Sequence, residues 1–184
     1  MIIGTSAYCG SGQDTLADGF CRFGYIKYSL GDFLRGIAKK KNIAPTRVNL
    51  QMIREQCDKR YGREYISKQM LNEIKRCNNE NIVITGFRTK EEYIIFKNEL
   101  DMKLIFVYAN KDIRYSRMIK RAEIKDELLI TELEKRMKKE ETLFDYKYLE
   151  NIADYKFDFN MNLNDWKKNQ NVIINDILDI IKVM

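Results

Sequence analysis

Histidine is absent from the 184 residues, and with it go the commonest general base and every Ser–His or Cys–His nucleophile. Proline occurs once, at Pro45, and no Ser/Gly-rich linker, internal repeat or low-complexity tract interrupts the chain. A single domain over residues 1–184 is therefore expected. The four cysteines, Cys9, Cys21, Cys57 and Cys77, form no C-x-x-C pair. Without histidine they are poor material for a structural zinc site, and they read as reduced, mostly buried thiols. No run of about 18 uninterrupted apolar residues exists, so no membrane helix and no membrane partner is expected. The opening Met1-Ile-Ile-Gly-Thr-Ser has no basic stretch ahead of an apolar one. That argues against a secretory signal and for a soluble, cytoplasmic protein.

What is present is a globular composition with a mild excess of positive charge. Apolar residues make up 45% of the chain, enough for a sizeable core. Lysine and arginine number 33 against 27 acids, a net charge of +6, which suits an anionic partner. The lysines are spread out, however. The runs Lys39–Lys41 and Lys135–Lys139 are short, and acids flank the second. A solvated surface accounts for much of this charge, and nucleic acid is not expected as a partner.

Hydrophobic periodicity alternates along the chain. Strands are expected at Met1–Ser6, Tyr25–Leu30, Asn81–Thr85, Lys103–Ala109 and Tyr155–Phe159. Helices are expected at Thr15–Phe23, Asp32–Lys41, Arg47–Arg60, Tyr65–Arg76, Lys90–Leu100, Asp112–Arg121, Ile130–Leu143 and Asp165–Lys182. Strands separated by helices imply an α/β fold with a parallel sheet and right-handed crossovers, whose ligands bind outside the carboxyl ends of the strands.

The segment after the first strand carries the chemistry. Ala7-Tyr-Cys-Gly-Ser-Gly-Gln-Asp-Thr15 runs from a strand into a helix. Gly10 and Gly12 allow a tight turn and close approach of a phosphate, and the amides that follow open a helix, where an anion is favoured. Gly10, Ser11, Gly12, Gln13, Asp14 and Thr15 are thus candidate phosphate-binding residues, with Thr15 offering a hydroxyl. Compared with G-x-x-x-x-G-K-[ST], the first glycine is Ala7, the lysine is Gln13 and the Ser/Thr is Asp14. An ordinary glycine turn before a helix is the competing explanation for the loop taken alone.

Further segments fall in a recognisable order. Gly10–Ala17 (G-S-G-Q-D-T-L-A) resembles G-S-G-K-x-x-x-A. Tyr28–Arg35 resembles S-x-x-D-x-L-R, and Arg54–Ile66, with its Arg-Tyr-Gly at 60–62, resembles l-R-e-x-y-G-x-x-x-l-a. Ile82–Arg88 resembles v-V-i-D-G-i-R and is followed by Glu91 and Glu92. Arg114, Arg117 and Arg121 match R-x-x-R-x-x-x-R, and Ala153-Asp154-Tyr155, with Asn160, resembles A-D-y-x-i-x-N. From Met1 to about Trp166 the chain resembles the nucleoside-monophosphate-kinase-like P-loop proteins. Within them it is similar to dephospho-CoA kinase and to the archaeal adenylate-kinase-related group, including relatives attached to dCMP deaminases.

The resemblance implies a three-layer P-loop fold with a five-stranded parallel sheet, acceptor-side helices over 46–78 and a helical lid over 111–145. It implies phosphoryl transfer from ATP, with Mg2+, to a small phosphorylated acceptor such as a nucleotide. Asp32, Arg35 and Arg88 would bind the acceptor, and Asp32, Arg88, Arg117 and Arg121 would serve catalysis, the last two by closing over the ATP phosphates. Arginine forks and a metal suit such chemistry, which needs positioning and charge neutralisation.

Two departures bear on this. Gln13 supplies a neutral donor where a lysine is usual, and losing a comparable transition-state contact costs about 3–4 kcal/mol. Thr85 replaces the strand-end aspartate that helps hold the metal. Asp14, with Thr15, either supplies ligands to Mg2+ or, as a carboxylate beside phosphates, repels ATP; the sequence leaves both open. Three readings follow: a kinase, a nucleotide-binding module that acts through conformation or partners, and, more remotely, a nucleic-acid-binding protein.

Overall fold

A computed structural model describes residues 1–121 and 127–184 of the chain. Five parallel strands, β1 (Ile2–Ala7), β2 (Ile26–Ser29), β3 (Ile82–Phe87), β4 (Met102–Tyr108) and β5 (Tyr155–Asp158), form one sheet in the order β2-β3-β1-β4-β5. The helices among the described residues are α1 (Gln13–Cys21), α2 (Leu30–Lys40), α3 (Arg47–Tyr61), α4 (Tyr65–Lys75), α5 (Lys90–Glu99), α6 (Lys111–Arg121), α7 (Glu127–Leu143), α8 (Tyr146–Ile152) and α9 (Leu163–Lys182).

The central strands read as apolar runs because both of their faces are covered. The pleat sends Ile3, Ala7, Val83, Ile105 and Val107 to one side, where they meet Leu16, Ala17 and Phe20 of α1 and Trp166, Ile174, Ile177 and Ile181 of α9. It sends Ile82, Ile84, Leu104 and Phe106 to the other, against Leu34, Ile53, Met70, Phe96 and Leu149 from α2, α3, α4, α5 and α8. The result is the expected three-layer α/β fold. Each of these large side chains contributes about 1.5–3 kcal/mol through burial. α9 docks along a stripe of Trp166, Gln170, Ile174, Ile177, Leu178 and Ile181, and its start is fixed by Asn162, which accepts from the amides of Asn164 and Asp165.

All five expected strands form. α8 has no counterpart in the sequence expectations, because its seven residues give too short a period to register and it follows α7 almost directly. Residues 46–78 hold α3 and α4. The expected lid, 111–145, holds α6 and α7, and its residues 122–126 lie outside the described residues. Among the described residues, no helix is long and apolar enough to cross a membrane.

Strand order places the site. From β1 the chain goes to β2 and β3 on one side, then crosses to β4 and β5 on the other. The carboxyl end of β1 is therefore the point where connections diverge and a crevice opens. The β4–β5 half is held in place by Asp154, whose Oδ2 accepts from the buried Leu104 amide at 2.7 Å, and by Asn160, whose Oδ1 accepts from the Asn110 amide at 2.8 Å. Asp154→Ala should strand the Leu104 N–H and lower unfolding free energy by about 1–3 kcal/mol, as read by urea denaturation. A change below a few tenths would contradict this role.

Candidate nucleotide site

The turn from β1 into α1 depends on two left-handed glycines, Gly10 (φ 87°) and Gly12 (φ 99°). The Ser11 amide closes a turn on the Tyr8 carbonyl at 3.1 Å, and the Leu16 amide makes the first helical bond to Gly12 at 3.0 Å. Neither glycine has room for a side chain. A Cβ at Gly10 would lie 2.7 Å from the Arg114 carbonyl oxygen, and one at Gly12 would lie 2.3 Å from the Phe159 ring.

No side chain caps α1, whereas Ser29, Thr46, Thr89 and Asn162 cap α2, α3, α5 and α9. The first-turn amides of Gln13, Asp14 and Thr15 thus present donors and the positive end of the helix dipole at the sheet's crevice. Ser11, 1% exposed, keeps its hydroxyl buried without a hydrogen-bond partner among the described residues.

Beneath α1, a polar row crosses the sheet. Thr5 on β1 pairs in register with Thr85 on β3, which pairs with Ser29 on β2. The Thr85 hydroxyl donates to Asp14 Oδ1 at 3.4 Å. Lys27 of β2 reaches the same oxygen at 3.4 Å and Asp18 Oδ1 at 2.9 Å. Burial works against the Lys27 ammonium, but the bonds and attraction of Asp18 and Asp14 together outweigh it and raise its pKa above the ordinary value. An ammonium therefore stands beside the phosphate loop even though Gln13 carries no charge.

The three arginines of α6 have separate surroundings. Arg114 is buried, paired with Glu141 at 2.8 Å and lying over the Tyr8 ring. Arg117, expected over the ATP phosphates, instead donates to four carbonyls. These are Gly10 and Ser11 of the loop, at 3.4 and 3.1 Å, and Phe159 and Met161 after β5, both at 2.7 Å. Its guanidinium also lies over Phe159, and burial lowers its pKa. These bonds engage donors that phosphates would need. Arg121 is exposed at the end of α6.

On the acceptor side, Asp32 in the first turn of α2 and Arg35 in the next form an exposed ion pair. Asp32 lines a depression of about 320 Å3 together with Lys27, Ser29, Lys40 and Glu73. Arg88 sits past β3, its guanidinium over the Phe144 ring, and it does not line that depression. Among the described residues, no carboxylate pairs with it. A larger depression of about 430 Å3, at the turn between α3 and α4, includes no residue of the loop.

Glu92 ties this side together. It is 2% exposed, accepts from the amides of Arg88 and Thr89 at 2.7 and 3.1 Å, and pairs with Arg54 Nη2 at 2.5 Å. Lys27 and Glu92 were not among the sequence candidates. Their signals were a lysine on a core-facing strand position and the T-x-x-E capping box at Thr89–Glu92.

No known family profile matches the chain. It is 31% identical over 128 residues to a UPF0200 protein of Pyrobaculum aerophilum, covering 69% of this chain and 70% of that one. The chain belongs to the UPF0200 family. A second UPF0200 relative, from Pyrococcus abyssi, is 28% identical over 186 residues and 97% of each chain. Among solved structures, this UPF0200 chain is similar to shikimate kinase from Bacteroides thetaiotaomicron, with a TM-score of 0.63, 17% identity and coverage of 99% and 98%. It is also similar to shikimate kinase from Acinetobacter baumannii in complex with shikimate, with a TM-score of 0.55, 14% identity and coverage of 99% and 92%. At such identities the likeness shows the fold, a kinase-type P-loop fold.

Glu92→Ala would leave the partly buried Arg54 without its closest partner and the amides of Arg88 and Thr89, just ahead of α5, without their acceptor. The expected cost is about 1–3 kcal/mol by denaturant unfolding. A cost under about 1 kcal/mol would show that Glu92 does not hold this side together.

Proposed function

We propose that the chain is an ATP-dependent phosphotransferase of the nucleoside monophosphate or dephospho-CoA kinase type, acting with Mg2+ on a small phosphate-bearing acceptor. The observation that carries this is the uncapped start of α1, turned by Gly10 and Gly12 into the crevice at the carboxyl end of β1. Solved kinases of the same fold support the reaction class, and the motif order along the chain supports the acceptor class.

In this reading the amides of Gln13, Asp14 and Thr15 hold the ATP phosphates, and the Gln13 side chain adds a neutral donor. Arg88, with no carboxylate paired to it among the described residues, neutralises the acceptor phosphate. Asp32 orients the acceptor and is itself held by Arg35. The acceptor oxygen bonds to the γ-phosphorus as the bond to the β–γ bridging oxygen breaks, ADP leaves, and where that oxygen is a hydroxyl its proton passes to the Asp32 carboxylate. Oxygen donors at Asp14, Thr15 and Thr85 fit a magnesium ion, which supplies charge neutralisation between the phosphates when bound. Arg117 acts by holding the loop, and Arg121 remains the lid arginine with freedom to approach ATP.

Gln13 also favours a second reading, a nucleotide-binding module that has lost turnover and works through conformation or partners. The two separate in one assay series. ATP consumption is measured with Mg2+ against nucleoside monophosphates and dephospho-CoA. Turnover with one of them is expected, and Arg88→Ala should lower its kcat/KM by about 10- to 150-fold, the worth of a charged hydrogen bond. Gln13→Lys should raise kcat. ATP binding with no turnover on any acceptor, unchanged by Gln13→Lys, would sink the kinase reading and leave the module.

A further inference from the structure

In a P-loop nucleotide site the magnesium ion takes a hydroxyl from the residue that follows the loop lysine and a carboxylate from the end of a neighbouring strand. In this chain the first position is Asp14 and the second is Thr85. Taken singly, each looks like a loss. Taken together they hold the same two chemical groups in reversed positions, and the fold brings those groups into contact: the Thr85 hydroxyl lies 3.4 Å from Asp14 Oδ1.

Three further observations fit a cation at this place. The Thr5 side chain, beside Thr85 in register and on the same α1-facing side of the sheet, is 0% exposed, and its hydroxyl has no hydrogen-bond partner among the described residues. A buried hydroxyl without a partner is costly unless a ligand or its water completes it. The Asp14 side chain is 65% exposed, so it faces the crevice rather than the core, and both of its contacts, from Thr85 and Lys27, fall on Oδ1. No hydrogen bond to the other oxygen, Oδ2, occurs among the described residues. Lastly, Lys27 is closer to Asp18, at 2.9 Å, than to Asp14, at 3.4 Å. Asp18 can therefore keep the ammonium while Asp14 turns to another cation. Magnesium favours this kind of set, one carboxylate with neutral oxygens and nucleotide phosphates.

We propose that two protein ligands of the magnesium site have exchanged places, the carboxylate coming from helix α1 as Asp14 and the hydroxyl from strand β3 as Thr85. The exchange conserves the charge of the pair. It also answers the objection that Asp14 repels ATP, because a bound metal would offset the charge of the carboxylate. This inference rests on the ATP-dependent reading above.

The test uses the full chain and reads binding rather than turnover. ATP affinity is measured by calorimetry in EDTA and in Mg2+, and Mn2+ binding in the presence of ATP is followed by electron paramagnetic resonance. The wild type should bind ATP more tightly with Mg2+ than without. Asp14→Asn, an exposed substitution that leaves the core intact, should lose that enhancement and weaken Mn2+ binding by at least the about tenfold that even supporting residues of metal sites are worth. Its ATP affinity in EDTA should hold or rise. The exchange variant Asp14→Thr with Thr85→Asp should recover Mn2+ binding when its circular dichroism matches the wild type. Wild-type ATP affinity indifferent to Mg2+ would overturn the proposal and assign the cationic role to Lys27. Full Mn2+ binding in Asp14→Asn would overturn it too, as would a folded exchange variant that recovers nothing. Absence of ATP binding in every condition would instead overturn the reading on which the proposal rests.

Discussion

Two glycines leave no room for side chains at the carboxyl end of β1, and the rest of the site is arranged around that fact. Gly10 lies against the backbone of α6 and Gly12 against the ring of Phe159, so the loop is wedged between the element that follows β4 and the segment that follows β5. Arg117 holds the same three pieces together by hydrogen bonds, reaching two carbonyls of the loop and two beyond β5. A loop fixed from both flanks keeps its amides directed at the crevice without a capping side chain. That is the preorganisation an anion site needs, since amides already in place require no rearrangement when charge arrives.

The charges near the loop divide into structural and available groups. Arg114 and Arg54 are tied up by Glu141 and Glu92, and removal of Glu141 would leave Arg114 a buried cation without its ion-pair partner. Arg88 and Arg121 carry no such pairing among the described residues, and Lys27 is shared between two exposed carboxylates of α1. The positive charge absent from position 13 is thus partly restored from β2. Loss of a motif residue and loss of its charge are separate events here, and Gln13 by itself speaks only to the first.

The sheet, its helices and the loop were legible in the sequence because each has a local signature: an apolar run, a helical period, or glycines before a helix. α8 was not, being too short to show a period. The division of labour among Arg114, Arg117 and Arg121 was equally hidden. Their spacing of three and four places them near one face of a helix, but which guanidinium meets a carbonyl and which meets solvent depends on the loop after β5, more than a hundred positions from the glycines it packs on. The roles of Lys27 and Glu92 are hidden in the sequence for a related reason. Their partners, Asp14, Asp18 and Arg54, become neighbours only once the sheet is assembled, so their roles are tertiary facts. The aspartate of the Ala153-Asp154-Tyr155 match likewise turns out to hold a β4 amide.

The central claim is that the amides following Gly12 receive the phosphates of ATP. Amide chemical shifts of the labelled chain, followed through a titration with ATP and Mg2+, test it most directly. The account predicts saturable shifts that are largest at Gly10 to Thr15, with smaller ones at Lys27 and Thr85. Shifts that saturate elsewhere while Gly10 to Thr15 stay still, or no shifts at millimolar ATP, would contradict it.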